Sequence, residues 1–177
     1  MTAAIQEHVR AWGEIDRETG AFLLKTYDSE VDMIGWPLVA GVVRNRGQFA
    51  VSGIALAQLF EWCSDQELQI AALLHSHKYE AFLSPVDLEY GFAAEGFLST
   101  IVPDYATPSA NPAEWGWWSF HDDTWNEVAP LEVVDRTFKG ISFDEGGVSA
   151  LEEGPSGLSP TQASLLAPTY LGKEPKR

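Results

Sequence analysis

Two histidines one residue apart, His75-Ser76-His77, are followed six residues later by Ser84-Pro85-Val86-Asp87. Two imidazoles and a carboxylate at this spacing can give three ligands to one Zn²⁺ and leave a fourth position open to water. That is the composition of a catalytic zinc site rather than a structural one. A bare His-x-His pair also occurs as an ordinary hydrogen-bonded feature, and Asp87 with an upstream carboxylate tips the balance toward metal. Ser84-Pro85-Val86-Asp87 is equally a helix start, with serine at the N-cap, proline at the first helical position and Asp87 at the third. Capping does not exclude a part in chemistry.

The elements that must position these groups are legible nearby. Leu68-Gln69-Ile70-Ala71-Ala72-Leu73-Leu74 is an apolar run with the length of a buried strand, so both histidines fall where that strand ends. On a strand, His75 and His77 point to the same face. Upstream, Ile5, Val9 and Trp12 fall at helical spacing over Ala4 to Trp12, and Gly13 with the polar residues after it ends that helix. Glu18 then stands at a helix-to-strand junction, before a strand beginning at Gly20-Ala21-Phe22-Leu23-Leu24. A hydrolytic zinc site with three protein ligands needs a carboxylate that takes the proton of the attacking water and returns it to the leaving amine. Glu18 is placed for that role.

Glu18-Thr19-Gly20-Ala21-Phe22-Leu23-Leu24 after an N-terminal helix, His-Ser-His at the end of an apolar strand and Ser-Pro-Val-Asp shortly after it together resemble the JAMM metalloproteases, the catalytic MPN or JAB domains, and the prokaryotic deubiquitinase-like members above all. The resemblance covers roughly Ala4 to Val128. It implies an α/β fold of MPN (JAB) type, a mixed curved β-sheet flanked by helices, with a zinc site like that of the cytidine deaminases. It also implies Zn²⁺ as cofactor, held by His75, His77 and Asp87, with Glu18 as general acid/base and Ser84 polarising the oxyanion. The chain departs from the pattern twice. Six residues separate His77 from Ser84 where seven are usual, and Lys78 stands where a proline commonly follows the second histidine.

The implied activity is hydrolysis of a peptide or isopeptide bond that removes or matures a ubiquitin-like modifier. The implied partners are that modifier or its conjugate and the E1- and E2-like proteins of a prokaryotic conjugation pathway. Other readings are a phage-type or small-protein processing peptidase of the same family, a metal-free MPN scaffold mediating protein contacts, and a different metallohydrolase such as a phosphoesterase. A second His-x-His set that would favour the last is absent from the sequence.

Length and composition fit one domain with a proper core: 177 residues, 45% of them hydrophobic. A net charge of -15 and no basic stripe argue against nucleic acid. No apolar run reaches the roughly 20 residues of a membrane span. The one cysteine, Cys63, forms no intramolecular disulfide, which suits a cytoplasmic protein. Residues 1–139 are expected to form the catalytic domain. From about Gly140 the breaker-rich sequence suggests an irregular extension over 140–177, with Leu151, Leu158, Leu165, Leu166 and Tyr170 scattered along it.

Between these landmarks the patterning suggests strands at 38–43 and 48–51 joined by a turn, an amphipathic helix over 52–62, a second helix from about Leu88 to Phe97, and a strand from Thr100. Trp115, Trp117, Trp118, Phe120 and Trp125 read first as a packed sheet face and second as a substrate-binding aromatic wall. His121 lies outside the motif and reads as a surface residue or as one that supports a ligand from behind.

Overall fold

The computed structural model describes residues 1–27, 30–131 and 138–151. In chain order these form α1 (Thr2–Gly13), β1 (Gly20–Thr26), β2 (Met33–Pro37), β3 (Val42–Asn45), β4 (Gln48–Val51), α2 (Gly53–Asp65), β5 (Leu68–Ser76), α3 (Pro85–Tyr90), β6 (Leu98–Val102), a single 3-10 turn at Pro112–Glu114, β7 (Gly116–His121), β8 (Thr124–Glu127), β9 (Lys139–Asp144) and β10 (Gly147–Ala150). Eight strands make one mixed, open sheet in the order β10-β9-β2-β1-β5-β6-β7-β8, and β3 and β4 form a separate two-stranded sheet. β2 and β9 run parallel, as do β5 and β6; the other neighbours are antiparallel.

The central strands are apolar on both faces because helices cover both. From β1 and β5, Ala21, Leu23, Ala72 and Leu74 face a core shared with Ile5 and Val9 of α1 and with Trp36, Val102 and Trp117. The intervening residues Phe22, Leu24, Ile70 and Leu73 face a second core with Ala55, Leu59 and Cys63 of α2 and with Ile141 and Phe143 of β9. Continuous apolar runs are what strands buried on both sides require. α1 presents Ala4, Ile5, His8, Val9 and Trp12 inward, one stripe of a 3.6-residue period. α2 begins where the Ser52 hydroxyl accepts a hydrogen bond from the Ala55 N–H; such caps contribute about 1 kcal/mol.

Four expectations are corrected. The strand expected at 38–43 starts only at Val42, and Met33–Pro37 is the strand that enters the main sheet. The helix expected from Leu88 to Phe97 is instead α3, which begins at the capped Pro85 and stops at Tyr90 before Gly91. The domain does not end at 139. β9 and β10 are strands of the main sheet, joined through a turn at 145–146, because β9 docks in parallel against β2 and buries Ile141 and Phe143. An irregular extension therefore begins no earlier than Leu151, and Leu158, Leu165, Leu166 and Tyr170 lie outside the described residues. Among the described residues no helix is long and apolar enough to cross a membrane.

Candidate metal centre

The site is built on the pairing of β1 with β5. Gly20 pairs with His75, Ala21 with Leu74 and Phe22 with Leu73. One step further, Thr19 and Ser76 tie the strand ends together. The Ser76 N–H donates to the Thr19 carbonyl at 2.8 Å, and the Thr19 N–H donates to the Ser76 hydroxyl at 3.0 Å. Continuing that register sets Glu18 level with His77. Alternation then puts Glu18, Gly20 and Phe22 on the same face as His77, His75 and Leu73, the face covered by α2. Gly20 is required there, since a Cβ would lie 2.5 Å from the Phe49 ring and 2.4 Å from the Leu74 carbonyl.

His77 lies just past the end of β5, held by its N–H to the Val102 carbonyl at 2.9 Å and by the Tyr105 N–H on its own carbonyl at 3.1 Å. Asp87 comes from the first turn of α3. Its Oδ2 accepts the Ser84 N–H at 2.7 Å while the Ser84 hydroxyl accepts the Asp87 N–H at 3.2 Å, a reciprocal capping box that fixes the carboxylate. His75 Nε2 lies 3.2 Å from Asp87 Oδ1, and His77 Nε2 3.2 Å from Asp87 Oδ2. One ligand atom from each of His75, His77 and Asp87 falls within 4.8 Å of the others. Tetrahedral zinc with bonds of about 2.0–2.1 Å would set neighbouring ligand atoms roughly 3.4 Å apart, so the spacing fits a metal ion.

The hydrogen-bond inventory fits as well. His75 Nε2 is buried beside the carboxylate without hydrogen-bond alignment to it, leaving a donor atom aimed at the shared centre. Nδ1 of the same ring is also buried and has no hydrogen-bond partner among the described residues. These three residues could therefore hold a metal ion.

The two carboxylates of the site are tuned in opposite directions. Burial alone would raise the Asp87 carboxyl, but the close approach of the His75 and His77 rings, the His75 charge and the Ser84 N–H outweigh it and hold Asp87 well below the usual carboxylate range. Glu18 is 6% exposed. Burial pushes it up to about 7, the His77 charge opposes that rise and the Asp87 charge adds to it.

The shift of Glu18 carries a stability consequence for the metal-free chain. A carboxyl whose folded value lies above its ordinary 4.5 contributes stability that is fully present below about 4.5 and is lost as pH rises through about 7. Wild type should therefore lose about 2 kcal/mol more than Glu18→Gln between pH 5 and pH 8. Urea unfolding of both metal-free proteins at the two pH values checks this, and parallel losses would show that Glu18 ionises in the fold without cost.

Lys78 has a definite use. Its Nζ donates to Asp16 Oδ1 at 2.8 Å, and the Tyr105 hydroxyl donates to the same oxygen at 2.5 Å. Arg46 pairs with Asp16 Oδ2. Asp16 takes a positive φ of 60°, a conformation aspartate tolerates better than most residues. The turn before Glu18 is thereby fastened to the residue after His77. Hydrogen bonds from Lys78 and Tyr105 are the main reason the Asp16 carboxyl is lowered to about 2.

Behind the site, buried Thr19 Oγ1 receives the Arg44 Nε–H at 3.0 Å and lies 2.9 Å from His8 Nε2. Arg44 also donates to the Pro37 carbonyl at 2.6 Å and lies over the Trp12 ring. Ser76, Thr19, Asp16 and Arg44 carry no role in the sequence motifs themselves. Their proximity to the motif was the available signal for the first three; Arg44 arrives through a long-range contact.

The expected site residues Glu18, His75, His77, Ser84 and Asp87 are thus gathered at one end of β1 and β5. His121 is not among them: it lies at the far end of β7, with its Nδ1 2.6 Å from Glu95 Oε1 on the surface. Trp115 and Trp117 are core residues. Cys63 is buried against the sheet, and burial pushes its thiol up to about 11.

No protein-family model and no curated protein sequence matches the chain. Its fold is similar to the solution structure of a Desulfitobacterium hafniense protein determined as a structural-genomics target. That match has a TM-score of 0.52 and 15% identity, over 72% of this chain and 86% of the other. The likeness is one of fold.

Proposed function

We propose that the protein is a zinc-dependent peptidase or isopeptidase of the JAMM type on an MPN fold, acting on a ubiquitin-like protein or its conjugate. The single observation that supports this most is the convergence of His75, His77 and Asp87 on one point, on the face that Glu18 shares by strand register. A zinc ion held by these three residues would supply Lewis acidity at a scissile carbonyl and acidify water.

The chain's own residues do the rest. Glu18 accepts the proton of the attacking water and delivers it to the leaving nitrogen, a task suited to a buried carboxyl on the same face as the three ligands. Ser84, fixed by its capping box, offers its hydroxyl proton to the developing oxyanion while its oxygen caps α3. Asp16 and Lys78 keep the Glu18 turn and the end of β5 together.

An extended substrate tail has a place to lie. Among the described residues β4 pairs with β3 alone, and Gln48, Phe49, Ala50 and Val51 border the same cavity as His75 and Asp87. A tail adding to that strand would be gripped by main-chain hydrogen bonds. The context this reading favours is a prokaryotic ubiquitin-like pathway with E1- and E2-like partners, in the cytoplasm, where Cys63 stays reduced.

The test uses the zinc-loaded chain and a diglycine-ended ubiquitin-like protein fused to a reporter, with fragments read by mass spectrometry. Cleavage should stop with chelator and return with added Zn²⁺. Cleavage indifferent to both, or none against any such fusion, overturns the reading.

A further inference from the structure

We infer that the cavity beside His75 and Asp87 is a subsite for one large apolar side chain, aromatic above all, on the substrate residue adjoining the scissile bond. This rests on the hydrolase reading above for its location beside the reacting bond. The cavity holds about 210 Å³ and is walled by Phe22, Phe49, Phe60, Phe92, Phe97 and Trp125, with His75 and Asp87 in the same lining. The aromatic walls come from β1, β4, α2, the segment after α3 and β8, so the space is a product of the whole fold and not a fissure in one loop.

Its size and chemistry select the occupant. An engineered apolar cavity of about 150 Å³ takes benzene, so a phenyl group fits here with room to turn. Phe60 meets Phe92 with ring centres 5.5 Å apart, and Phe92 meets Phe97 at 4.8 Å. Phe60 and Phe92 are nonetheless 37% and 39% exposed, leaving apolar faces to water at the rim. An apolar side chain packed against this ring cluster would cover those faces. A glycine at the same position would cover nothing.

The substrate is therefore a polypeptide carrying a bulky apolar residue next to the bond that is cut. Maturation of a precursor with such a residue beside its diglycine meets this requirement. Release of a lysine side chain from a bare diglycine end does not.

A binding experiment on the metal-free full chain isolates the subsite from catalysis. N-acetyl-phenylalanine amide and N-acetyl-glycine amide are titrated separately while backbone amide signals are followed by NMR. The phenylalanine compound should bind at least about tenfold more tightly, the ratio expected for burying a side chain of this size. Its shifts should centre on Ala50, Val51 and Phe92. Ala50→Trp, which fills the space, should erase the preference, and Phe92→Ala should weaken it about threefold. Should Ala50→Trp not fold, Phe92→Ala at its exposed rim position carries the comparison.

Equal response to the two amides, or shifts scattered elsewhere, overturns the subsite. No response at the cavity to either compound also overturns it. Zinc-dependent cleavage without an aromatic preference sinks the subsite and spares the hydrolase reading. Aromatic binding by a chain that cleaves nothing does the reverse.

Discussion

Glu18→Gln is expected to keep one zinc per chain and to lower turnover of a cleaved fusion by about 10²- to 10⁴-fold, the usual share of a positioned acid/base. Glutamine has nearly the same shape and can occupy the same buried position beside β5, so packing is preserved. Its amide cannot accept a proton at neutral pH. Glu18 is not among the three converging ligands, so metal content should not move. Elemental analysis and fragment yield on the same preparation separate the two effects. Near-native turnover would remove Glu18 from the mechanism, while loss of zinc would make it a ligand.

His77→Ala should abolish both properties. Removing a partner that merely orients a metal ligand costs roughly 10–100-fold in affinity, so removing one of three ligands should exceed 100-fold. At a zinc concentration that nearly saturates wild type, the variant should retain almost none. A companion effect appears in stability. Zinc at about 100 times its dissociation constant should stabilise wild type by about 2.7 kcal/mol, because it binds the folded chain, and the variant should gain close to nothing. Zinc content and thermal midpoints with and without Zn²⁺ read both. A variant that binds zinc as wild type does would place the metal elsewhere, or nowhere.

The candidate centre was largely legible in the sequence because its geometry is local. His75 and His77 share a face on any strand, and Ser84-Pro85-Val86-Asp87 specifies a capped helix whose third residue turns back toward the cap. Glu18 required one long-range fact, that β1 and β5 are neighbours, which the family resemblance implied and the register bears on directly.

What stayed hidden depended on distant partners. Met33–Pro37 is buried at every position, so it has no alternation to betray a strand, and its Gly35 and Pro37 resemble loop residues. Gly146 and Gly147, read as the mark of an irregular tail, instead belong to the β9–β10 turn and the start of β10, where Gly147 takes a φ of +131°. The stretch from Leu88 to Phe97 reads as a helix, yet Phe92 and Phe97 are apolar because they wall a cavity. No local pattern announces a cavity whose walls come from so many elements.

The sheet divides the interior into two stores of apolar residues. The larger, between α1 and the sheet, includes Ile5, Val9, Trp36 and Trp117, none of which lines the cavity. The smaller lies against α2, and its Phe22 and Leu73 also line the cavity. A lineage of such proteins could therefore trade one substrate preference for another by exchanging Phe60, Phe92 or Ala50 while the core under α1 keeps the fold standing. Tolerance of change and choice of target are stored on opposite sides of one sheet.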